Sequence, residues 1–218
     1  MRASYDGINA SDNPDEAAFF SSYGCVDGRI KPDVVAPGTF IASTLSKASL
    51  EVVRPYPGSE NYQFMSGTSM STPITAGTVA VIREYIQKNY GITNPSAALI
   101  KALVINGALT EGYSAQKGWG KISLYDSIFS TKVIDEQTSL SSSQVKTYST
   151  QCKVTKIDNP LKITLVWSDY PAAVNSEKAL VNDLDLKVTS PDGNVVFYGN
   201  DFTSPYNSDF DRVNNVEN

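Results

Sequence analysis

The sequence predicts an α/β region followed by a smaller all-β region, and three observations lead to this prediction. A short apolar run bounded by proline and glycine at 31–38 suits a buried strand of an α/β sheet. A long run with helical apolar periodicity follows at 74–90. Helical periodicity then stops at Val145, and short strand-like runs separated by turns take its place.

The segments around the first strand are predicted to be short and mostly extended. Residues 19–24 favour a core strand that ends in a turn. Residues 51–62 are predicted to form a loop, because they contain three strong turn formers: Pro55, Pro57 and Gly58. Residues 62–65 predict a short strand that leads to Gly67.

Two helices are predicted after Gly67. The first runs from Ser69 to about Asn89, with Gly91 just past its end. Small residues near its start and charged residues only in its second half predict a helix that begins buried and ends exposed. The second helix is predicted to begin with Asn94 as N-cap and to stop at Gly107.

A serine-rich stretch at 138–143 marks a boundary, so we predict one domain at 1–135 and a second at 136–218. Pro191-Asp192-Gly193-Asn194 is a hairpin signal within the second domain. Four strands are predicted there, at 148–154, 161–167, 184–188 and 195–198.

Ser69 is the candidate nucleophile. The stretch Gly67–Pro73 presents it in a small turn just before the long helix, and Pro73 is predicted to lie in the first helical turn. A helix N-terminus offers free backbone N–H groups and a positive dipole end, which suit a developing oxyanion. The alternative is that Ser69 only caps the helix. Ser71 stands where an α/β-hydrolase elbow has its second glycine, which argues against that fold.

The stretch 67–73 closely resembles the serine motif of the subtilisin-like serine proteases. Residues 27–38 resemble the segment that precedes this motif in the family. Residues 181–186 and 198–201 are similar to the β jelly-roll domain of one branch of the family. The resemblance implies a partial subtilisin-like parallel sheet with helices, followed by a partial jelly roll. It also implies a serine endopeptidase acting on polypeptides, with Ser69 as nucleophile and Thr68 as an oxyanion-hole helper.

The chain contains no histidine. A triad-type serine hydrolase needs an imidazole to take the serine proton. The resemblance implies that the aspartate and histidine precede the serine, so a C-terminal fragment would keep Ser69 and lose both. We therefore expect this chain alone to be inactive. A non-catalytic pseudoenzyme or a β-sandwich interaction module is the alternative.

Asp183 and Asp185 are candidate metal ligands. At spacing i, i+2 on a strand, both carboxylates would point to one face. Hard oxygen donors suit Ca²⁺, and Asn182, Asp201 and Glu217 add further oxygens. The resemblance also implies structural calcium. The alternative is a solvated acidic edge. No organic cofactor is expected.

Composition limits the remaining function classes. The 218 residues carry a net charge of −5, which argues against nucleic-acid binding. No apolar run reaches the roughly 18 residues of a membrane span. Cys25 and Cys152 are expected to be unpaired thiols, and Asn9-Ala10-Ser11 fits a glycosylation pattern that occurs often by chance. Localisation outside the cytosol, secreted or in the secretory lumen, is expected by analogy with the family, and the oligomeric state is left open.

Overall fold

The computed structural model describes residues 13–25, 27–48, 54–110, 113–129, 131–149, 161–202 and 211–218. Asn9 and Cys152 lie outside these ranges. The predicted strand at 148–154 is described only at its first two residues, which are not in a strand. None of the described helices has both the length and the apolar character needed to cross a membrane.

A three-stranded antiparallel sheet precedes the long helix. It contains β1 (Ile41–Thr44), β2 (Pro55–Tyr56) and β3 (Ser59–Met65), with β3 in the centre. The predicted strand at 62–65 is confirmed and is longer than expected. The loop predicted over 51–62 is wrong where it is described, because β2 and β3 form a hairpin. Proline is tolerated on β2 because this strand lies at the sheet edge, where a missing N–H breaks no ladder.

Helix α1 (Thr68–Tyr90) confirms the predicted long helix. It ends at Gly91, whose φ of 68° is the left-handed conformation expected after a helix C-terminus. Pro73 is not in the first turn as predicted, because the N-cap is Gly67 and Pro73 is therefore the sixth helical residue. At that position its missing N–H leaves the carbonyl of Ser69 without its usual helical donor.

The burial predicted along α1 is wrong. Its fully buried residues are Ile82 and Ile86, and both lie in the second half. The small residues of the first half are mostly exposed, and a Cβ added at Gly77 would meet no described atom within 4 Å. Ile82 and Ile86 are four residues apart, so they form one apolar stripe that packs on the next helices. No described element covers the small-residue half.

Helix α2 (Ala97–Asn106) ends at Gly107, as predicted, but its N-cap is Ser96 rather than Asn94. Ser96 Oγ accepts a hydrogen bond of 3.0 Å from the backbone N–H of Leu99. Asn94 instead accepts a 2.8 Å hydrogen bond from the Arg83 guanidinium through its side-chain oxygen. Sequence propensity cannot separate two capping residues that lie two positions apart.

Helix α2 lies between two hydrophobic clusters. The first joins α2 to α1 and to α3 (Leu124–Ile128) and contains Ile82, Ile86, Leu99, Ile100, Leu103, Val104 and Ile128. The second joins α2 to the C-terminal region and contains Ile30, Ile105, Ala108, Trp119 and Val216. Burial on two sides makes α2 the packing element that connects the two regions of the chain.

The predicted strand at 31–38 forms no regular strand. In the described ranges, parallel pairing is limited to one isolated bridge between Val35 and Lys121. Prolines at 32 and 37 limit strand pairing in this segment, because proline has no backbone N–H to donate to a neighbouring strand. The turn at 118–120 packs against it: Trp119 is 4% exposed, and a Cβ at Gly118 would lie 1.9 Å from the carbonyl oxygen of Pro32.

Residues 19–24 are not the core strand that was predicted. Phe19 is 96% exposed and meets Phe20 edge-to-face at 5.3 Å. The backbone N–H of Ser21 bonds to the Ala18 carbonyl at 2.9 Å, so the segment turns instead of extending. Aromatic content suggested a strand, but the described backbone contact at its end is a bond from the Gly24 N–H to the Lys31 carbonyl at 2.7 Å that belongs to no strand.

The described residues of the C-terminal region form two separate antiparallel pairs. Strands β4 (Leu165–Val166) and β7 (Val216–Glu217) form one, and β5 (Lys187–Thr189) and β6 (Val196–Tyr198) form the other. The hairpin predicted at 191–194 is confirmed between β5 and β6, with Gly193 at a φ of 75°. These pairs do not by themselves form a jelly roll. That architecture and the domain boundary at 135/136 remain predictions.

Candidate active site

Ser69 is the second residue of α1, and its side chain is exposed. Among the described residues, its hydroxyl has no hydrogen-bond partner. The N-cap is Gly67, which has a φ of 154° and makes no side-chain cap. The alternative in which Ser69 merely caps the helix is therefore wrong, and the hydroxyl is available to react.

Two contacts hold the turn that carries Ser69. The backbone N–H of Gly67 donates to the carbonyl of Gly38 at 2.8 Å. The backbone N–H of Phe40 donates to Ser66 Oγ, also at 2.8 Å. Both contacts join the end of β3 to the start of β1, so the serine turn is positioned by the sheet as well as by the helix.

A third contact fixes the first turn of α1 itself. Ser71 Oγ donates to the carbonyl of Ala36 at 3.1 Å. A Cβ at Gly38 would lie 2.4 Å from Ser71 Oγ, so the close approach of the two segments requires glycine at this position. Ser71 is therefore a positioning residue that the sequence did not single out, although its spacing from Ser69 is part of the same motif.

The helix start provides donors for an anion. The backbone N–H of Ser69 belongs to the first turn, which has no intrahelical acceptors. No acidic residue lies in that turn, so the positive end of the helix dipole is not neutralised there. Thr68 is exposed beside Ser69, and its carbonyl accepts a 3.0 Å bond from Thr72 Oγ1. This arrangement can present a hydroxyl and stabilise negative charge, but it contains no histidine to accept a proton.

Asp183 and Asp185 lie in a second cluster, but not on a strand as predicted, because β5 begins only at Lys187. They share a negative environment with Asp211 and with Glu217 on β7. Burial raises the pKa of Asp183, and the nearby charge of Asp185 raises it further. The backbone N–H of the residue after Asp185, Leu186, donates to Glu217 Oε2.

Glu217 is the most unusual acid of this cluster. Its residue is 1% exposed, and within the described part of the chain its Oε1 has no hydrogen-bond partner. Gly199 packs directly on it, since a Cβ there would lie 2.5 Å from Glu217 Cβ. Burial raises the pKa of Glu217 to about 8, with further contributions from the charges of Asp185, Asp211 and Asp183.

The described residues contain no group of three or more Asp, Glu or Cys side chains arranged to hold a metal ion. Asn182 is also engaged elsewhere, because its backbone and side-chain N–H groups donate to Asp169. Asp183 and Asp185 are therefore placed in one electrostatic cluster, and their role as ligands remains a prediction.

Comparison with known families gives a match that covers the serine turn. The sequence profile of the subtilase family, Peptidase S8, matches residues 7–120, which include Ser69 and the described segments that contact its turn.

The chain belongs to the subtilase family.

Relatives of this subtilase differ in length and origin. The Serine protease/ABC transporter B family protein tagD of Dictyostelium discoideum is 27% identical over 100% of this chain, which spans 16% of that relative. Serine protease AprX of Bacillus subtilis is 40% identical over 47% of this chain and 22% of its own length. The crystal structure of fervidolysin from Fervidobacterium pennivorans is 30% identical, covers 50% of this chain and 16% of its own, and has a TM-score of 0.39.

The buried carboxyl of Glu217 predicts a pH-dependent stability. Its folded-state pKa of about 8 lies above the ordinary value of 4.5, so the folded chain holds a proton that the unfolded chain releases between these values. Stability is therefore full below about pH 4.5 and is lost as the pH rises through 8. We expect the free energy of unfolding in EDTA to fall by at least about 1.4 kcal/mol from pH 5 to 8, which corresponds to one pKa unit.

Urea unfolding followed by tryptophan fluorescence measures this change. Glu217→Gln removes the titrating group and should flatten the profile. Glu84→Gln is the matched control, because Glu84 lies in an exposed ion pair with Lys88 on α1 and its loss should leave the profile intact. A wild-type profile that is level between pH 5 and 8 would show that Glu217 is ionised in the folded protein.

Proposed function

We propose that this chain is the serine-bearing part of a subtilisin-like serine endopeptidase, in which Ser69 is the nucleophile. The observation that supports this best is the exposed hydroxyl of Ser69, without a described partner, at the start of a helix within the matched family region. The relatives named as serine proteases support the same assignment.

The reaction follows from the groups present and from the one that is missing. Ser69 Oγ attacks the carbonyl carbon of a peptide bond while a base takes its proton. The backbone N–H of Ser69, helped by Thr68, stabilises the oxyanion that forms. Collapse expels the amine, which takes the proton from the base, and water then hydrolyses the acyl-enzyme. Since the chain has no histidine, the base comes from a part of the protein outside these 218 residues.

We propose that the segment that carries the base packs on the exposed first half of α1. Its small residues, Thr72, Pro73, Ala76, Gly77 and Ala80, are exposed and surround the face next to Ser69. Small side chains allow close approach of another backbone or helix. Val81, 45% exposed, extends the same region. A segment that carries the base and packs here would bury this face and bring an imidazole close to Ser69.

The finer properties of the protease are proposals by family analogy. We propose a polypeptide substrate, a location outside the cytosol and a jelly roll that includes β4 to β7. The absence of histidine from the chain is also compatible with a second candidate, a non-catalytic pseudoenzyme in which the serine turn is retained only as structure.

Two hydroxyl variants of the full-length protein separate these candidates. Ser69→Ala removes the nucleophile and should lower kcat for a fluorogenic peptide by more than about 10⁴-fold. Thr78→Ala is the matched control, because it removes one hydroxyl from the same helix away from the serine turn. It loses only the hydrogen bond to the Ile74 carbonyl, a stability change of about 1 kcal/mol, and should retain most of the activity.

Hydrolysis that continues unchanged in Ser69→Ala would eliminate Ser69 as the nucleophile. A full-length protein that hydrolyses no peptide would favour the pseudoenzyme.

We further propose that the cluster of Asp183, Asp185, Asp211 and Glu217 holds a structural calcium ion. Glu217 Oε1 is buried and has no partner among the described residues, and burial together with the charge of Asp185 raises the pKa of Asp183, so a cation among these carboxylates would be favourable. Carboxylate oxygens are suitable ligands for calcium. The ion would stabilise this region and take no part in the peptide chemistry. Because the described carboxylates form no ready metal group, binding requires backbone carbonyls, water or adjustment of these side chains.

Thermal unfolding at pH 8 tests the calcium proposal. Calcium at a hundredfold excess over Kd should stabilise the chain by about 2.7 kcal/mol and raise Tm. The same concentration of Mg²⁺ should have less effect, because Mg²⁺ demands a tighter octahedral site. Glu217→Gln should lose most of the shift. Identical Tm values in calcium and in EGTA would contradict the proposal.

A further inference from the structure

Three aromatic rings form a contiguous group on one face of the β2–β3 hairpin. Tyr62 and Phe64 are two residues apart on β3 and therefore point to the same side. The Tyr56 ring on β2 lies 6.1 Å from Tyr62 and 5.1 Å from Phe64 between ring centroids. We call Tyr56, Tyr62 and Phe64 the aromatic shelf. Tyr56 and Tyr62 are 40% and 45% exposed, so the shelf is accessible to solvent.

The shelf borders an open cavity of about 530 Å³. Leu45 and Pro55 form apolar walls, and Tyr56 and Tyr62 contribute their rings. The remaining feature is Glu60, the one ionisable acid among the lining residues. A volume in this range is large enough for a side chain or a short ligand segment.

The carboxylate of Glu60 is exposed and has no cationic partner among the residues that the structure describes. The nearby guanidinium of Arg54 lies instead 4.4 Å over the ring of Phe40. Aromatic faces attract cations, and a carboxylate pairs with them. The cavity therefore suits a lysine or arginine side chain in three ways. Its apolar walls can contact the methylene groups, and the aromatic rings and the Glu60 carboxylate can both contact the terminal charged group.

The hairpin also connects the cavity directly to the candidate nucleophile. Strand β3 ends at Met65, and Ser69 follows four residues later. Ser69 is seven positions after Tyr62, so their Cα atoms are at most about 25 Å apart even for a fully extended chain. An extended polypeptide of about seven residues covers the same distance.

We propose that this cavity is a secondary binding site for a lysine or arginine side chain of the polypeptide substrate, within about seven residues of the cleaved bond. This proposal rests on the proposed endopeptidase function of Ser69. The site strengthens binding of substrates that carry a distant basic residue and does not touch the reacting atoms. It therefore acts on KM and leaves kcat unchanged.

Three long peptides and one short peptide test the site in the full-length protein. All share one cleaved sequence, and the long ones carry Lys, Gln or Glu at the distant position. The Lys peptide should have a KM about three- to tenfold lower than the Gln peptide, as expected for one exposed cation–π contact plus one surface ion pair. The difference should shrink as salt rises, because exposed charges are screened.

Variants assign the effect to the cavity. Glu60→Gln should remove most of the Lys preference, and Glu60→Lys should reverse it in favour of the Glu peptide. Glu60 is exposed, so neither substitution should disturb the fold. Tyr62→Phe should keep the preference, whereas Tyr62→Ser should weaken it. Glu84→Gln, an exposed acid on α1, is the matched control and should change nothing.

The outcomes distinguish failure of this site from failure of the proposed function. If the short peptide is cleaved but the Lys and Gln peptides have equal KM values, the secondary site is refuted and the endopeptidase stands. If no peptide is cleaved, fluorescence anisotropy of labelled long peptides still measures binding without turnover. Equal Kd values for the Lys and Gln peptides in that measurement would also refute the site.

Discussion

The packing of Ile82 and Ile86 on α2 is the contact on which the rest of the structure depends. These two side chains are the fully buried residues of α1, and they fix its direction relative to α2 and α3. Helix α2 is held in turn by its second cluster against Trp119 and Val216. Among the described residues, the fully buried side chains of α1 lie in its second half, and Ser69 lies at its other end. The short contacts from Gly38 and Ala36 therefore determine where the hydroxyl lies.

This arrangement explains how the candidate nucleophile can be held in place by local contacts and still lack a base. The turn orients the serine, and the helix start supplies N–H donors that suit an oxyanion. Neither element supplies a base, and the exposed small-residue half of α1 next to Ser69 is covered by no described element. The active site that we propose is thus divided: this chain would hold the nucleophile, and the surface beside it would receive the part that activates it.

The sequence was most informative where structure depends on local interactions. Periodicity predicted α1 to within a residue or two, Gly91 and Gly107 marked helix ends, and Pro191–Asn194 marked a hairpin. It was wrong where the outcome depends on distant neighbours. The small residues of α1 suggest burial, but burial requires an element that packs on them. Pro55 suggests a loop, although an edge strand accepts proline.

The candidate site shows the same division between local and distant information. Ser69 and its helix were predictable from a seven-residue motif, whereas the role of Ser71 depends on Gly38, which is 33 positions earlier in the chain. Asp183 and Asp185 were predicted to act as a pair on a strand. Their shared environment instead depends on Glu217, whose burial comes from the pairing of β7 with β4 and from contact with Gly199. No local pattern contains that information.

Intact-mass spectrometry after exposure to a fluorophosphonate, which reacts with activated serines, tests most directly whether Ser69 is the nucleophile and whether its base lies elsewhere. We predict one adduct on the full-length protein, mapped by peptide analysis to Ser69, and no adduct on this chain alone, because the chain has no histidine. Rapid labelling of the chain alone would contradict the claim that the base lies elsewhere. An adduct on any other serine of the full-length protein would contradict the assignment of Ser69 as the nucleophile.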